Sequence, residues 1–184
     1  MLYARTAMSK FDGIISTINA NIGDLVKQKA SGKCKFRCYG FVSPIKIKTE
    51  RGATQFMPAL INKDGECHYV FSDDDFDLGV YHRFLSQSFA KGEVWGRERE
   101  VIETSEIQLI VWGFSPKLKM LDLDVSEQLI IPAIPADVDL VSVSFDKQSV
   151  VNGEFRNIDY DFKPEEFIFS VKYKVISKYR KACL

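Results

Sequence analysis

The stretch "FSDDDFDLG" at residues 71–79 places Asp73, Asp74, Asp75 and Asp77 within five positions, directly after the apolar run "CHYVF". Carboxylates at that density can hold a divalent cation, and a neighbouring imidazole would let them share in proton transfer. A calcium loop of the EF-hand kind needs a Gly at its sixth place and an acid at its twelfth. Counted from Asp73, those places hold Leu78 and Phe84, so the pattern fails. A looser Mg²⁺ or Ca²⁺ site would draw ligands from elsewhere in the chain. The ordinary alternative is a solvated turn, in which Asp side chains bond their own backbone.

Only two imidazoles are available as general bases, His68 beside Cys67 in an expected strand and His82 between Tyr81 and Arg83. Either could act with Cys67, a serine or the acidic stretch in a small enzyme, yet no G-x-S-x-G, H-E-x-x-H or C-x-x-C motif accompanies them. The thiols point the same way. Cys34 and Cys38 lie ~13 Å apart along a strand, too far to share a metal, and with Cys67 and His68 they form only a nominal zinc set. Buried thiols are the plainer reading of them. The glycines are scattered, with no G-x-G-x-x-G or G-x-x-x-x-G-K-S/T cradle for a phosphate. No cofactor is expected.

The 184 residues carry 25 Lys plus Arg and 25 Asp plus Glu, with 46% hydrophobic and 27% charged residues. This is the usage of a single globular domain, and it leaves no net field to grip a polyanion or an acidic membrane. The basic end "KVISKYRKACL", with Lys174, Lys178, Arg180 and Lys181, is a short local exception. The N-terminal "MLYARTAMSKF" lacks the apolar core of a signal peptide, and no run approaches the ~18 apolar residues of a membrane span. Synthesis in a cytoplasm without membrane partners is the expectation.

Whatever these residues do, an α+β scaffold must position them. Over residues 9–30, Phe11, Ile14, Ile15, Ile18, Ile22, Leu25 and Val26 recur at spacings of three and four, which predicts an amphipathic helix with Ser9 and Asp12 at its start. The period then becomes that of strands over 34–42, 44–52, 55–61 and 67–71, read as antiparallel neighbours joined by hairpins. Residues 80–89 fit helix or strand equally. A long strand, exposed early and buried late, is predicted over 100–114. One short internal helix starts near Pro116 or Ser126 and stops before Pro132 and Pro135. Strict alternation over 138–146 puts Leu140 and Ser142 opposite Val141, Val143 and Phe145. Over 165–177, Phe167, Phe169, Val171, Tyr173 and Val175 share a face. The expected architecture is an N-terminal amphipathic helix on a mainly antiparallel, mixed sheet with long hairpin loops. It has an N-terminal arm at 1–8 and irregular chain over 146–164.

Aromatic residues amount to 12% of the chain, with 14 Phe, and several lie at the edges of regular elements among charges, a setting that suits the centre of protein interfaces. Capping of a loop-rich core would place them there equally well. The segment "SFAKGEVWGRERE" at 88–100 reads as a hairpin arm that projects towards a neighbour. Interface candidates are Asp73, Asp74, Asp75, Phe76 and Asp77 in the acidic stretch, Trp95, Arg97 and Arg99 in the arm, and Phe155 and Tyr160 beyond it.

The order of these elements, with the helix ending "NIGDL", the hairpin meander with its long loop and the final pair "VSVSFD … FIFSVKYKV", resembles the head-to-tail connector and tail-terminator proteins of tailed bacteriophages, including the neck ring proteins of crAss-like phages. The resemblance is architectural, spans most of the chain and rests on no diagnostic motif. It implies a non-enzymatic subunit of the virion neck, assembled in the host cytoplasm. Such a subunit forms a homo-oligomeric ring, touches portal, neck or tail proteins above and below, and surrounds DNA only as passing cargo. Under it the acidic stretch becomes a channel-facing or axial docking loop. Two other classes remain open: a small enzyme or metal-binding protein using residues 73–77 with His68 or His82, and a partner-binding module of a bacterial injection device.

Overall fold

The computed structural model describes residues 11–30, 34–48, 54–61, 67–70, 76–95, 98–154 and 163–182. The first element is helix α1, Asp12–Lys29, and the predicted stripe is its buried face: Ile15, Ile18, Ile22 and Val26. Four buried Ile and Val side chains, at about 1.5–3 kcal/mol each, outweigh the roughly 1 kcal/mol that each of Gly13 and Gly23 costs a helix. Asp12 in the first turn and Lys27 and Lys29 in the last complement the helix dipole. The expected cap, Ser9, lies outside the described residues. Phe11 occupies the cap position without a side-chain bond.

The strands are β1 (Phe36–Phe41), β2 (Ser43–Lys48), β3 (Thr54–Ile61), β4 (Cys67–Tyr69), β5 (Leu78–Trp95), β6 (Glu98–Phe114), β7 (Asp139–Ser144) and β8 (Glu166–Ala182). They form a five-stranded sheet of order β1-β5-β6-β8-β7 and a three-stranded antiparallel sheet β2-β3-β4. Among the described residues, β1 and β5 are the one parallel pair of the larger sheet. This corrects the expectation that the first four strands are antiparallel neighbours. The strand from 34–42 leaves that meander, because Phe36, Cys38 and Phe41 pack into the main core with α1. Val42 then ties the crossover by donating its N–H to the His82 carbonyl at 2.8 Å.

Register assigns the faces of the large sheet. Leu78 and Val80 of β5, Ile107, Leu109 and Val111 of β6, and Phe167, Phe169, Val171, Tyr173 and Val175 of β8 face α1 and form the main core. The opposite face is covered too: Tyr81, Ile110, Trp112 and Ile168 are buried, and helix α4, Lys147–Glu154, lies along β8 and β3. Two glycines permit close packing across this sheet. A Cβ on Gly79 would fall 2.2 Å from the indole of its cross-strand partner Trp112, and one on Gly113 would fall 2.5 Å from the ring of its partner Phe167.

The connection after β6 differs from the single helix expected. It breaks into α2 (Ser115–Leu118), α3 (Asp122–Val125), a π turn at Ser126–Ile130 and a 3₁₀ turn at Ile131–Ala133. Lys119 at φ 56° ends the first piece, and Pro132 lies inside the last turn rather than beyond it, where its missing N–H costs nothing. Part of the span expected to be irregular, 146–164, is α4, opened by Asp146, whose carboxylate accepts the Ser149 N–H at 3.2 Å. Strict alternation over 138–146 also gives way. A bulge between Leu140 and Ser142 sets Leu140 against Tyr173 and Val143 against Val171, so those two share the core-side face.

Candidate functional site

Of the groups that suggested chemistry, Asp77 and His82 have structural partners. Asp77 follows the acidic run and is buried at the start of β5. Its carboxylate accepts the Lys35 N–H at 2.8 Å and pairs with the Lys117 ammonium at 2.9 Å, tying the entry of β1 and helix α2 to the sheet. Burial alone would raise its pKa, but the Lys35 amide and the Lys117 charge outweigh it and hold the carboxyl below its ordinary value. Asp77 is therefore a clamp within the chain, not the displayed interface carboxylate expected. Asp73, Asp74 and Asp75 lie outside the described residues. Phe76 is half-buried, with the Arg37 guanidinium 4.8 Å from its ring centre.

His82 is fully buried on the core-side face of β5. Its Nδ1 lies 2.9 Å from the Tyr173 hydroxyl and its Nε2 lies 3.0 Å from Asn19 Oδ1. Asn19 Nδ2 donates to the Tyr39 carbonyl at 3.3 Å, which leaves Oδ1 as an acceptor. Satisfying every group therefore puts the proton on Nε2 and has Nδ1 accept from Tyr173. Burial pushes the imidazole down to about 3. A sealed, neutral, fully bonded histidine anchors α1 to the sheet and offers no base to a substrate. His68 pairs with Leu60 in the smaller sheet, and its side chain, like that of Cys67, lies outside those described.

The two described thiols, Cys34 and Cys38, are poor nucleophiles. Burial, helped by the Asp77 charge, raises Cys34 to about 11, and burial raises Cys38 to about 12. Among the described residues, no three His, Cys, Asp or Glu side chains converge in a way that could hold a metal. No described helix is long and apolar enough to cross a membrane.

What the fold displays is the arm. β5 and β6 pair from Leu78–Gly113 at the base to Trp95–Glu98 at the far end, and β8 runs beside β6 over its whole length. The segment expected as a two-stranded hairpin at 88–100 is thus the outer half of a three-stranded ribbon. Past Phe84 the β5 strand of the ribbon opens to solvent, and residues 86–91 are all exposed. Phe89 is 60% exposed, Val94 58%, Ile176 48% and Tyr179 42%. By register Phe89, Val94 and Tyr179 share the core-side face, and Ile176 lies on the other. Between the aromatics Glu103 is buried, accepting from the Gln87 amide and from the Ser105 hydroxyl at 3.4 Å.

Of the arm residues expected from sequence, Trp95 ends β5 opposite Glu98, its side chain outside those described, and Arg97 lies outside the described residues. Arg99 is half-buried, and its Nε has no hydrogen-bond partner among the described residues. Phe155 and Tyr160 also lie outside them. Phe89, one of the aromatics that the sequence places at the edge of a regular element, and Val94 lie within the arm expected at 88–100; sequence reasoning overlooked Ile176 and Tyr179. Their signal was available: the alternation of the last strand continues past Val175 to Tyr179, longer than the sheet that α1 can cover.

Comparison with models of known protein families and with curated proteins finds no match to this chain. Its function must be argued from the geometry.

Proposed function

We propose that this protein is a non-enzymatic assembly subunit that closes into a homo-oligomeric ring at the portal–tail junction of a tailed bacteriophage, joining head and tail around the DNA channel. The observation that carries the assembly reading is the three-stranded ribbon, which leaves the core with Phe89, Val94, Ile176 and Tyr179 uncovered. Large apolar side chains on a rigid projection exposed to water are the mark of a surface that another chain covers. The placement of the ring at a phage neck rests on the order of elements described above. Of the two imidazoles open to the enzyme alternative, His82 is sealed and fully bonded, which weighs against that one as its base.

The experiment is the solution mass by light scattering across a concentration series, with negative-stain imaging, alone and with a portal or tail-tube protein. Closed rings, or rings formed on addition of the partner, are the expected result. A chain that stays monomeric under every condition overturns the proposal.

A further inference from the structure

The ribbon has two open borders. β1 accompanies β5 only as far as His82, and β7 accompanies β8 only over residues 170–174. Among the described residues, nothing pairs with the outer border of β5 beyond Arg83 or with that of β8 beyond Lys174. The two borders differ in character. Along β5, two bulges, after Phe84 and after Lys91, bracket the regular stretch Ser86, Gln87, Ser88, Phe89 and Ala90, which itself contains neither charge nor proline, two of the devices by which edge strands avoid pairing with other chains. Along β8, residues 174–182 contain Lys174, Lys178, Arg180 and Lys181 and no acid.

We propose that copies of this protein join head to tail through these borders, the β5 edge of one copy pairing in parallel with the β8 edge of the next, so that the ribbons form one continuous intersubunit sheet. The inference rests on the ring reading and specifies its lateral contact. Three observations select this arrangement. First, a twofold β8–β8 contact would set two basic edges directly against each other, which opposes pairing. Second, β5 and β8 both run antiparallel to β6, so copies related by rotation about an axis along the ribbon bring them together parallel. That contact is heterologous, covers both borders and can close. Third, the charges fit. On the face away from α1 the β6 column carries Glu100 and Glu106, while the β5 residues beside it are the small Ser86, Ser88 and Ala90. Lys174 already pairs with Glu106 at 3.2 Å within the chain. Lys178 and Arg180 of the next copy would lie two strand spacings from the same column, about 10 Å, a span that extended Lys and Glu side chains bridge together. Glu100 leans over Gly92, where a Cβ would fall 2.4 Å from its carboxylate, and with Lys91, Ile102, Lys178 and Arg180 these residues line a shallow concavity that can receive such side chains.

Register also supplies the test. Ser88, Thr104 and Ile176 lie at one level of the ribbon, and rotation without axial rise keeps that level between copies, apart from the stagger that strand tilt adds. In a chain carrying C67S and C183S, single variants S86C, S88C and A90C are each mixed with I176C under mild oxidation. The expected result is a disulfide between two different chains for at least one mixture, and a ladder ending in a closed species for the doubly substituted chain. Dimers formed by S88C alone or I176C alone would show twofold contacts and overturn the proposal. So would absence of cross-links in material whose mass is oligomeric, an outcome that leaves the ring reading standing. A monomer at all concentrations and with the portal or tail protein overturns both. As a second arm, K178E, at a position opposite Ile102 within the chain, is expected to lower the oligomer mass at a fixed concentration while leaving the far-UV dichroism and melting temperature unchanged. Unaltered assembly by this variant counts against the charge fit and overturns the proposed pairing.

Discussion

Replacing His82 by Phe removes one buried imidazole and leaves two polar groups, Asn19 Oδ1 and the Tyr173 hydroxyl, without the partners they have at 3.0 and 2.9 Å. Each orphaned buried group costs about 1–3 kcal/mol, so at pH 7 the variant is expected to be about 2–6 kcal/mol less stable. The pH dependence is the sharper test. In the unfolded chain the imidazole titrates near ~6.5, whereas in the folded chain burial holds it down to about 3. Between those values the unfolded state binds the extra proton, so the wild type loses stability as pH falls, at up to about 1.4 kcal/mol per pH unit. His82→Phe carries no such term. The gap between the two proteins should therefore shrink by about 2 kcal/mol between pH 7.5 and pH 5, while contributions from His68 and the carboxylates cancel in the difference. Urea unfolding at low protein concentration, followed by tryptophan fluorescence at half-unit steps from pH 7.5 to 5, measures it. A gap that stays constant over that range would refute the sealed, neutral histidine and restore His82 as a candidate base.

Asp77→Ala removes the charged acceptor of the part-buried Lys35 amide and is expected to cost about 1–3 kcal/mol, whereas Asp77→Asn retains an acceptor for that amide and costs less; chemical denaturation of both variants ranks them. Because the folded carboxyl is held below its ordinary value, its contribution is present above pH ~4 and lost as pH falls further, so the penalty of Asp77→Asn should fade in acid. Gly79→Ala forces a methyl into the Trp112 indole and is expected to destabilise by about 1–3 kcal/mol, as overpacking does, with a shifted tryptophan emission maximum; a neutral result would mean that the indole has room to move. Phe89→Ser changes a side chain that is 60% exposed, so the melting temperature of the isolated chain should barely move, while oligomer mass at a fixed concentration falls at least tenfold in association constant; a variant that assembles normally would remove the exposed aromatic from the interface.

The parts of the fold written in local periodicity were legible. The α1 stripe and the Phe167 to Val175 face are both buried as their spacing required. Partner choice was not, because alternation reports that a segment is a strand and says nothing of what it pairs with. β1 reads like its neighbours yet runs parallel to β5 across the sequence of a whole second sheet. The bulge after Leu140 was invisible for a related reason: one inserted residue leaves the composition of a strand unchanged while reversing every later side chain. At the candidate site, clustering misled. Four aspartates within five positions drew attention, but the described one is fixed by a backbone amide and a lysine contributed from distant places in the chain. The uncovered apolar residues are spread over β5 and β8 and become neighbours only through β6. Phe89 lies opposite Glu103, and Glu103 opposite Ser177.

The ladder between β6 and β8 has a mechanical consequence. It runs through all 17 residues of β6 without a register shift, whereas the β5–β6 ladder is interrupted twice, after Phe84 and after Lys91. At about 3.3 Å per residue the ribbon is a beam roughly 55 Å long, clamped at one end between α1 and α4 and lacking a break on its β8 side at which to hinge. A rotation of about 5° at the clamp would swing the far end of the uncovered half, about 30 Å away, by about 2.5 Å, and a load applied there would be carried back to the Phe167–Gly113 contact instead of being absorbed along the way. Small adjustments in how the body seats on a neighbour are therefore delivered, magnified, to the tip, so that the two ends of the molecule cannot be positioned independently.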